Sequence, residues 1–147
     1  MISFRSAPTV DLSPLDLYEI LRLRVDVFVV EQDCPYPELD GRDVEPATIQ
    51  FWATDGSAML ATLRLLTDGQ DRRIGRVATA AQAREKGLAA ELMRGALAAC
   101  EGQTVRLDAQ SHLTGWYARF GFEPDGAEFV EDGIPHTPMI RRATQRR

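Results

Sequence analysis

The run Arg84-Glu85-Lys86-Gly87-Leu88-Ala89 follows Ile74-Gly75-Arg76-Val77-Ala78-Thr79 and opens an amphipathic stretch. A strand that passes through such a loop into a helix leaves the first helical N–H groups without partners, and the helix dipole adds positive potential. Gly87 and the small Ala89 let a bulky anion approach the main chain. The chemistry this suits is diphosphate binding. It is not a Walker A loop, because no Lys-Ser/Thr pair follows the glycine, nor a dinucleotide fingerprint, which needs three spaced glycines.

Residues 24–43, RVDVFVVEQDCPYPELDGRD, raise a different question. An apolar run breaks at Glu31 into a cysteine, prolines and carboxylates. Glu31, Asp40, Asp43, Glu45, Asp108 and His136 are all side chains able to take a proton, and spacing singles out none of them. Most carboxylates in such a stretch are expected to be solvated. Cys34 could pair with His112 or His136 as a nucleophile, but an incidental thiol is the simpler reading. These three residues lack paired ligand spacing, so no metal is expected. Tyr117 shares a helical face with Leu113, Trp116 and Phe120, and periodicity by itself assigns it to the core.

The elements around these residues alternate in type. Residues 2–7 suit a short strand. Ser13 can cap a helix with Pro14 at its first position, and the spacing of Leu17, Leu21, Arg24 and Phe28 predicts one helix over 14–31. Local alternation in 25–30 leaves a strand open there. The prolines after Cys34 make 32–47 a loop with room for one helical turn. Residues 49–54 and 59–67 read as strands joined at Asp55-Gly56-Ser57, and 73–79 as a third strand. A helix over roughly 87–101 presents Leu88, Leu92, Met93, Ala96, Leu97 and Cys100 on one face. Residues 105–110 alternate as a half-buried strand, Ser111 can cap a short helix, and 122–142 hold two more strands around Gly133-Ile134-Pro135.

The chain has 147 residues, 44% hydrophobic and 27% charged, which suits one soluble domain over 1–147. A net charge of -5 argues against a nucleic-acid partner. The basic tail, Arg141-Arg142 to Arg146-Arg147, is expected to fray. No apolar run approaches a membrane span or a signal-peptide core, and only Cys34 and Cys100 occur, so no membrane partner and no disulfide framework are expected. The expected location is the cytoplasm.

The loop at 84–89 resembles the Q/R-x-x-G-x-G/A loop of the GNAT superfamily of N-acetyltransferases. Leu113-Thr114-Gly115-Trp116-Tyr117-Ala118-Arg119-Phe120-Gly121-Phe122 is similar to that family's fourth helix and following Y-x-x-x-G-F. Val27-Phe28-Val29-Val30-Glu31-Gln32, Cys34-Pro35-Tyr36, Asp40-Gly41 and Asp132-Gly133-Ile134-Pro135-His136 resemble the ElaA-like subgroup. The resemblance implies a GNAT fold: mixed α/β, with a mostly antiparallel sheet of about six to seven strands flanked by helices. It implies that 25–30 close the first helix and that the acidic loop borders an acceptor site.

The resemblance further implies an acetyl-CoA-dependent N-acetyltransferase working by direct transfer to a primary amine, on a small molecule or a peptide. Main-chain groups of Val77, Ala78 and Thr79 would hold the pantetheine arm, and the amides of Arg84, Glu85, Lys86, Gly87, Leu88 and Ala89 the diphosphate. Tyr117 would donate a proton to the leaving sulfur. Glu31 heads the candidate bases, while Asp40, Asp43 and His136 would line the acceptor side and favour a cationic amine. A non-catalytic acyl-CoA-binding module and a nucleotide-binding regulatory domain are the alternatives. Whether the chain is a monomer or a homodimer stays open.

Overall fold

The computed structural model describes residues 1–143. Its first strand, β1 (Ser3–Pro8), is followed by helix α1 (Pro14–Val25). The Ser13 hydroxyl accepts the Asp16 amide at 3.1 Å and Pro14 stands in the first turn, so the start of α1 is specified locally. The helix does not stop at Val25. Residues Asp26–Glu31 widen into a π-helical turn, with the Gln32 amide reaching the Val27 carbonyl at 3.3 Å. The helical reading of 14–31 therefore holds and the strand reading of 25–30 does not, but the last turns are not α-helical.

Strands β2 (Ile49–Thr54), β3 (Met59–Asp68) and β4 (Asp71–Thr79) form an antiparallel meander beside β1. Helix α2 (Leu88–Ala98) then crosses to β5 (Val105–Gln110), and β5 lies parallel to β4. A single turn, α3 (Thr114–Ala118), precedes β6 (Glu123–Pro124), β7 (Phe129–Glu131) and β8 (Ile134–Arg141). The sheet runs β1-β2-β3-β4-β5-β8-β6, with β7 also on β8, eight strands among the described residues where about six to seven were expected. The extra strand is the two-residue β6, too short to leave a period-2 pattern. Ser111 does not cap a helix. Its hydroxyl lies 2.9 Å from that of Thr137, and residues Ser111–Leu113 form a 3₁₀ turn instead. Arg141 is not frayed but ends β8, donating from Nε to the Phe120 carbonyl; Arg146 and Arg147 lie outside the described residues.

Residues 60–66 of β3 are buried without interruption, so the sheet is covered on both faces. Phe51 and Leu63 are direct cross-strand partners and face α2, whose Gly95 lies close enough for an added Cβ to touch Phe51 at 3.9 Å. Gln50 and Arg64, the neighbouring pair, point the other way, toward α1. The face toward α1 therefore mixes buried apolar side chains such as Ile20 and Leu23 with the buried polar groups of Arg24, Asp43, Gln50 and Arg64. Leu63, Leu65, Met93, Ala96, Cys100 and Val105 are fully buried in the core. Among the described residues no helix is long and apolar enough to cross a membrane.

Candidate active site

Strands β4 and β5 pair only at Arg72↔Val105 and Arg73↔Arg106, then separate. The cause lies in β4. Thr62 pairs with Ala78 but Arg64 with Gly75, so β4 carries one residue more than β3 over this stretch. A bulge bends its strand, and here Arg76 adopts φ +53, the left-handed region. The separation opens a cleft of about 760 Å³ between residues 74–79 of β4 and Leu107, Asp108 and Gln110 of β5. Beyond Arg73 the β5-facing main-chain groups of β4 have no strand partner.

One end of the cleft is the loop 84–89. Glu85 (φ +66) and Gly87 (φ +74) both adopt the left-handed region and turn the chain sharply here. Among the described residues, no protein acceptor takes the amide hydrogens of residues 84–90; the first bond of α2 runs from the Glu91 amide to the Gly87 carbonyl. A Cβ placed on Gly87 would meet nothing within 4 Å, so the space above it is open. These features fit a diphosphate. Arg84 also acts through its side chain. Both its terminal nitrogens reach Glu31 at 2.6 Å, while Nε and Nη2 donate to the Thr79 carbonyl at 3.3 and 3.2 Å.

Tyr117, only 8% exposed, lines the cleft from α3. Its ring is held edge-on by Trp116 and Phe122, with centroids 4.9 and 6.4 Å away, so it packs in the core and also lines the cleft. That hydroxyl has no protein hydrogen-bond partner among the described residues, and burial pushes its pKa up to about 12. On the far wall His136 stacks on Phe129, centroids 5.6 Å apart, with Nδ1 2.8 Å from the Ile134 carbonyl. A carbonyl only accepts, so Nδ1 carries a proton, and in the neutral imidazole the lone pair then falls on Nε2.

Comparison with known proteins agrees with this geometry. The acetyltransferase (GNAT) domain family model matches residues 27–143. The chain belongs to the GNAT family. It is 50% identical to a UPF0039 protein of Mycobacterium tuberculosis over 136 residues, covering 89% of this chain and 87% of that one. Escherichia coli ElaA is 36% identical over 99% of both chains, and its crystal structure superposes with TM-score 0.91, covering 97% of this chain and 100% of that one. An acyl-CoA N-acyltransferase from Pseudomonas aeruginosa is 40% identical with TM-score 0.90, covering 96% and 99%. The mixed sheet with its parted central strands is the GNAT fold.

Within this GNAT cleft the structure gathers Val77, Ala78, Thr79, Arg84, Glu85, Gly87, Leu88, Ala89, Tyr117, Glu31 and His136 along one wall or another. Lys86 sits in the same loop but its side chain is exposed and off the lining. Two expectations need correction. Asp40 and Asp43 do not line the cleft. Asp43 is buried against Arg24, Arg64 and Gln50, and Asp40 accepts from both terminal nitrogens of Arg64 at 2.8 and 2.6 Å. Their charge is spent on internal arginines, which the sequence spacing does not reveal. Glu31 does line the cleft, but both its oxygens are taken by Arg84, whose hydrogen bonds pull its pKa down. The pair ties the turn that follows α1 to the anion loop.

Cys34 also faces the cleft, but its thiol donates to the Asp132 carbonyl at 3.1 Å rather than to an imidazole, and desolvation raises its pKa. That contact pins the 32–36 segment to the β7–β8 turn. Arg76 and Tyr36 are lining residues that sequence reasoning passed over. An arginine in a strand carries no signal that it will occupy the left-handed region.

Proposed function

We propose that this chain is an acetyl-CoA-dependent N-acetyltransferase that acetylates a primary amine directly, within a ternary complex. The observation that carries the reading is the set of unbonded amides at 84–90, opening into a cleft between parted strands. The amides of residues 84–89 would hold the diphosphate, and unpaired main-chain groups of 77–79 the pantetheine arm. The co-substrate supplies an activated thioester. His136 Nε2 takes the amine proton, directly or through water, as the new N–C bond forms. Tyr117, kept protonated by its burial, gives its proton to the sulfur as the C–S bond breaks.

A cationic acceptor remains the favoured class, for a different reason than the acids behind α1. Glu131 and Asp132 line the rim of the cleft and form no salt bridge among the described residues. Their attraction is to a second positive group of the acceptor, because the attacking amine must be neutral.

The test is a screen for acetyl-CoA-dependent thiol release across mono- and diamines and basic peptides. Coenzyme A should compete and ATP should not. A thermal shift with coenzyme A but no turnover of any amine would identify a binding module instead; competition by ATP would overturn the cofactor assignment.

A further inference from the structure

Arg76 occupies a conformation that glycine would adopt freely, at the one place where β4 bulges into the cleft. A strained non-glycine residue persists only where its surroundings over-determine it. Its surroundings do so. Nε lies 2.9 Å from Glu38 Oε2, an ion pair rather than an aligned hydrogen bond. Nη2 donates to the Glu38 carbonyl at 3.1 Å and lies 3.4 Å from Asp40 Oδ2. The guanidinium carbon sits 5.5 Å from the centroid of the Tyr36 ring. The Tyr36 hydroxyl in turn donates to Glu38 Oε1, and Arg24 Nε to Glu38 Oε2 at 2.7 Å.

The segment 34–43 is therefore held from two directions. From beneath, Arg24 and Arg64 hold Glu38, Asp40 and Asp43; their side chains are 0% and 5% exposed, out of reach of a ligand. From the cleft side, Cys34 ties the start of the segment to the Asp132 carbonyl, and Arg76, with a side chain 21% exposed among the lining residues, links the bulge to Glu38 and Asp40. It brings the positive charges of this cluster to match its carboxylates and lays Tyr36 along the cleft wall.

We propose that Arg76 is a positioning residue for acetyl transfer: it fixes Tyr36 and the 34–40 segment as a rigid wall of the acceptor end. The role of that wall rests on the transferase reading above. Acceptors are then selected by fit against the Tyr36 ring, and the acidic segment presents no free charge to them. The strain at Arg76 is retained because the residue that bends β4 is also the one that carries the guanidinium to Glu38.

Arg76→Gly tests this, since glycine keeps the backbone conformation and deletes the guanidinium; Arg76→Lys keeps the charge and loses the fork. In Arg76→Gly the acceptor KM should rise about tenfold, with kcat changed far less, as expected when a wall rather than a reacting group moves. Acetyl-CoA affinity should stay within about twofold, and Arg76→Lys should recover part of the loss. An unchanged acceptor KM in folded Arg76→Gly overturns the proposal, and so does a parallel loss of acetyl-CoA binding. A second readout does not need turnover. With fluorotyrosine at Tyr18, Tyr36 and Tyr117, the Tyr36 ¹⁹F resonance should move toward its unfolded position in Arg76→Gly while that of Tyr117 stays. A stationary Tyr36 resonance overturns the proposal whether or not an acceptor is known. A displaced resonance in a protein that acetylates nothing leaves the wall standing and removes the transferase reading.

Discussion

Tyr117 lines the cleft on a ring that Trp116 and Phe122 hold in place, and its hydroxyl has no protein partner among the described residues. Tyr117→Phe removes the donor and keeps that packing. Turnover should fall ~10²-fold for the loss of a general acid, while the acetyl-CoA-induced rise in Tm persists. Equal rates in the two proteins would return Tyr117 to a purely structural role. His136 is separable from it. His136→Asn places an amide donor where Nδ1 meets the Ile134 carbonyl but has no basic nitrogen, so kcat should fall while coenzyme A binding is kept.

At the scale of elements, the site is the junction of the end of α1, the bulge of β4 and the start of α2. Gly87→Glu should abolish the coenzyme A thermal shift, because its carboxylate would enter the open space above the amides and repel a diphosphate. Gly87→Ala carries the same backbone strain at φ +74 without the charge, and should keep part of the shift. The Glu31–Arg84 pair ties the turn after α1 to this loop, but both side chains are about two-fifths exposed, at 44% and 41%. A double-mutant cycle on stability should therefore give a coupling of no more than about 1 kcal/mol, shrinking with added salt. The capped start of α1 is a local device that salt should not weaken in the same way: Ser13→Ala should cost about 1 kcal/mol in denaturant unfolding.

For the molecule as a whole, the buried polar groups between α1 and the sheet set the response to acid. Hydrogen bonds from Arg64 hold the Asp40 carboxyl well below the usual range. Burial works against ionisation of Asp43, but Arg24, Gln50 and Arg64 together outweigh it and its pKa is lowered too. Groups depressed in the folded state stabilise it fully above their unfolded pKa, about 3.9 for aspartate, and that stabilisation is lost as pH falls through the folded value. Stability should be flat near neutrality and fall steeply below about pH 4. Asp40→Asn should lower stability at pH 7 and flatten the acid limb, measured by urea unfolding across that range. The apolar face answers to volume instead: Leu63→Ala, fully buried beside Phe51, should cost about 2–5 kcal/mol at any pH where the protein folds.

What could be read from the sequence was whatever is written in nearest neighbours. Ser13-Pro14 starts α1, the amphipathic face from Leu88 to Cys100 makes α2, and Arg84-Glu85-Lys86-Gly87-Leu88-Ala89 marks an anion loop, because caps, helical period and glycine freedom are local properties. The family resemblance extended that legibility to the ends of α1 and α3. Tertiary structure decided the rest, since it depends on which distant groups meet. The acids after Val30 look in sequence like a solvated or substrate-facing cluster, yet Arg24, Arg64 and Arg76 come from two other elements and one helix turn to neutralise them. The bulge at Arg76 depends on a register shift against β3, invisible to any window along the chain. An ion pair in a folded protein belongs to the packing that brings its halves together, and sequence spacing records only one half at a time.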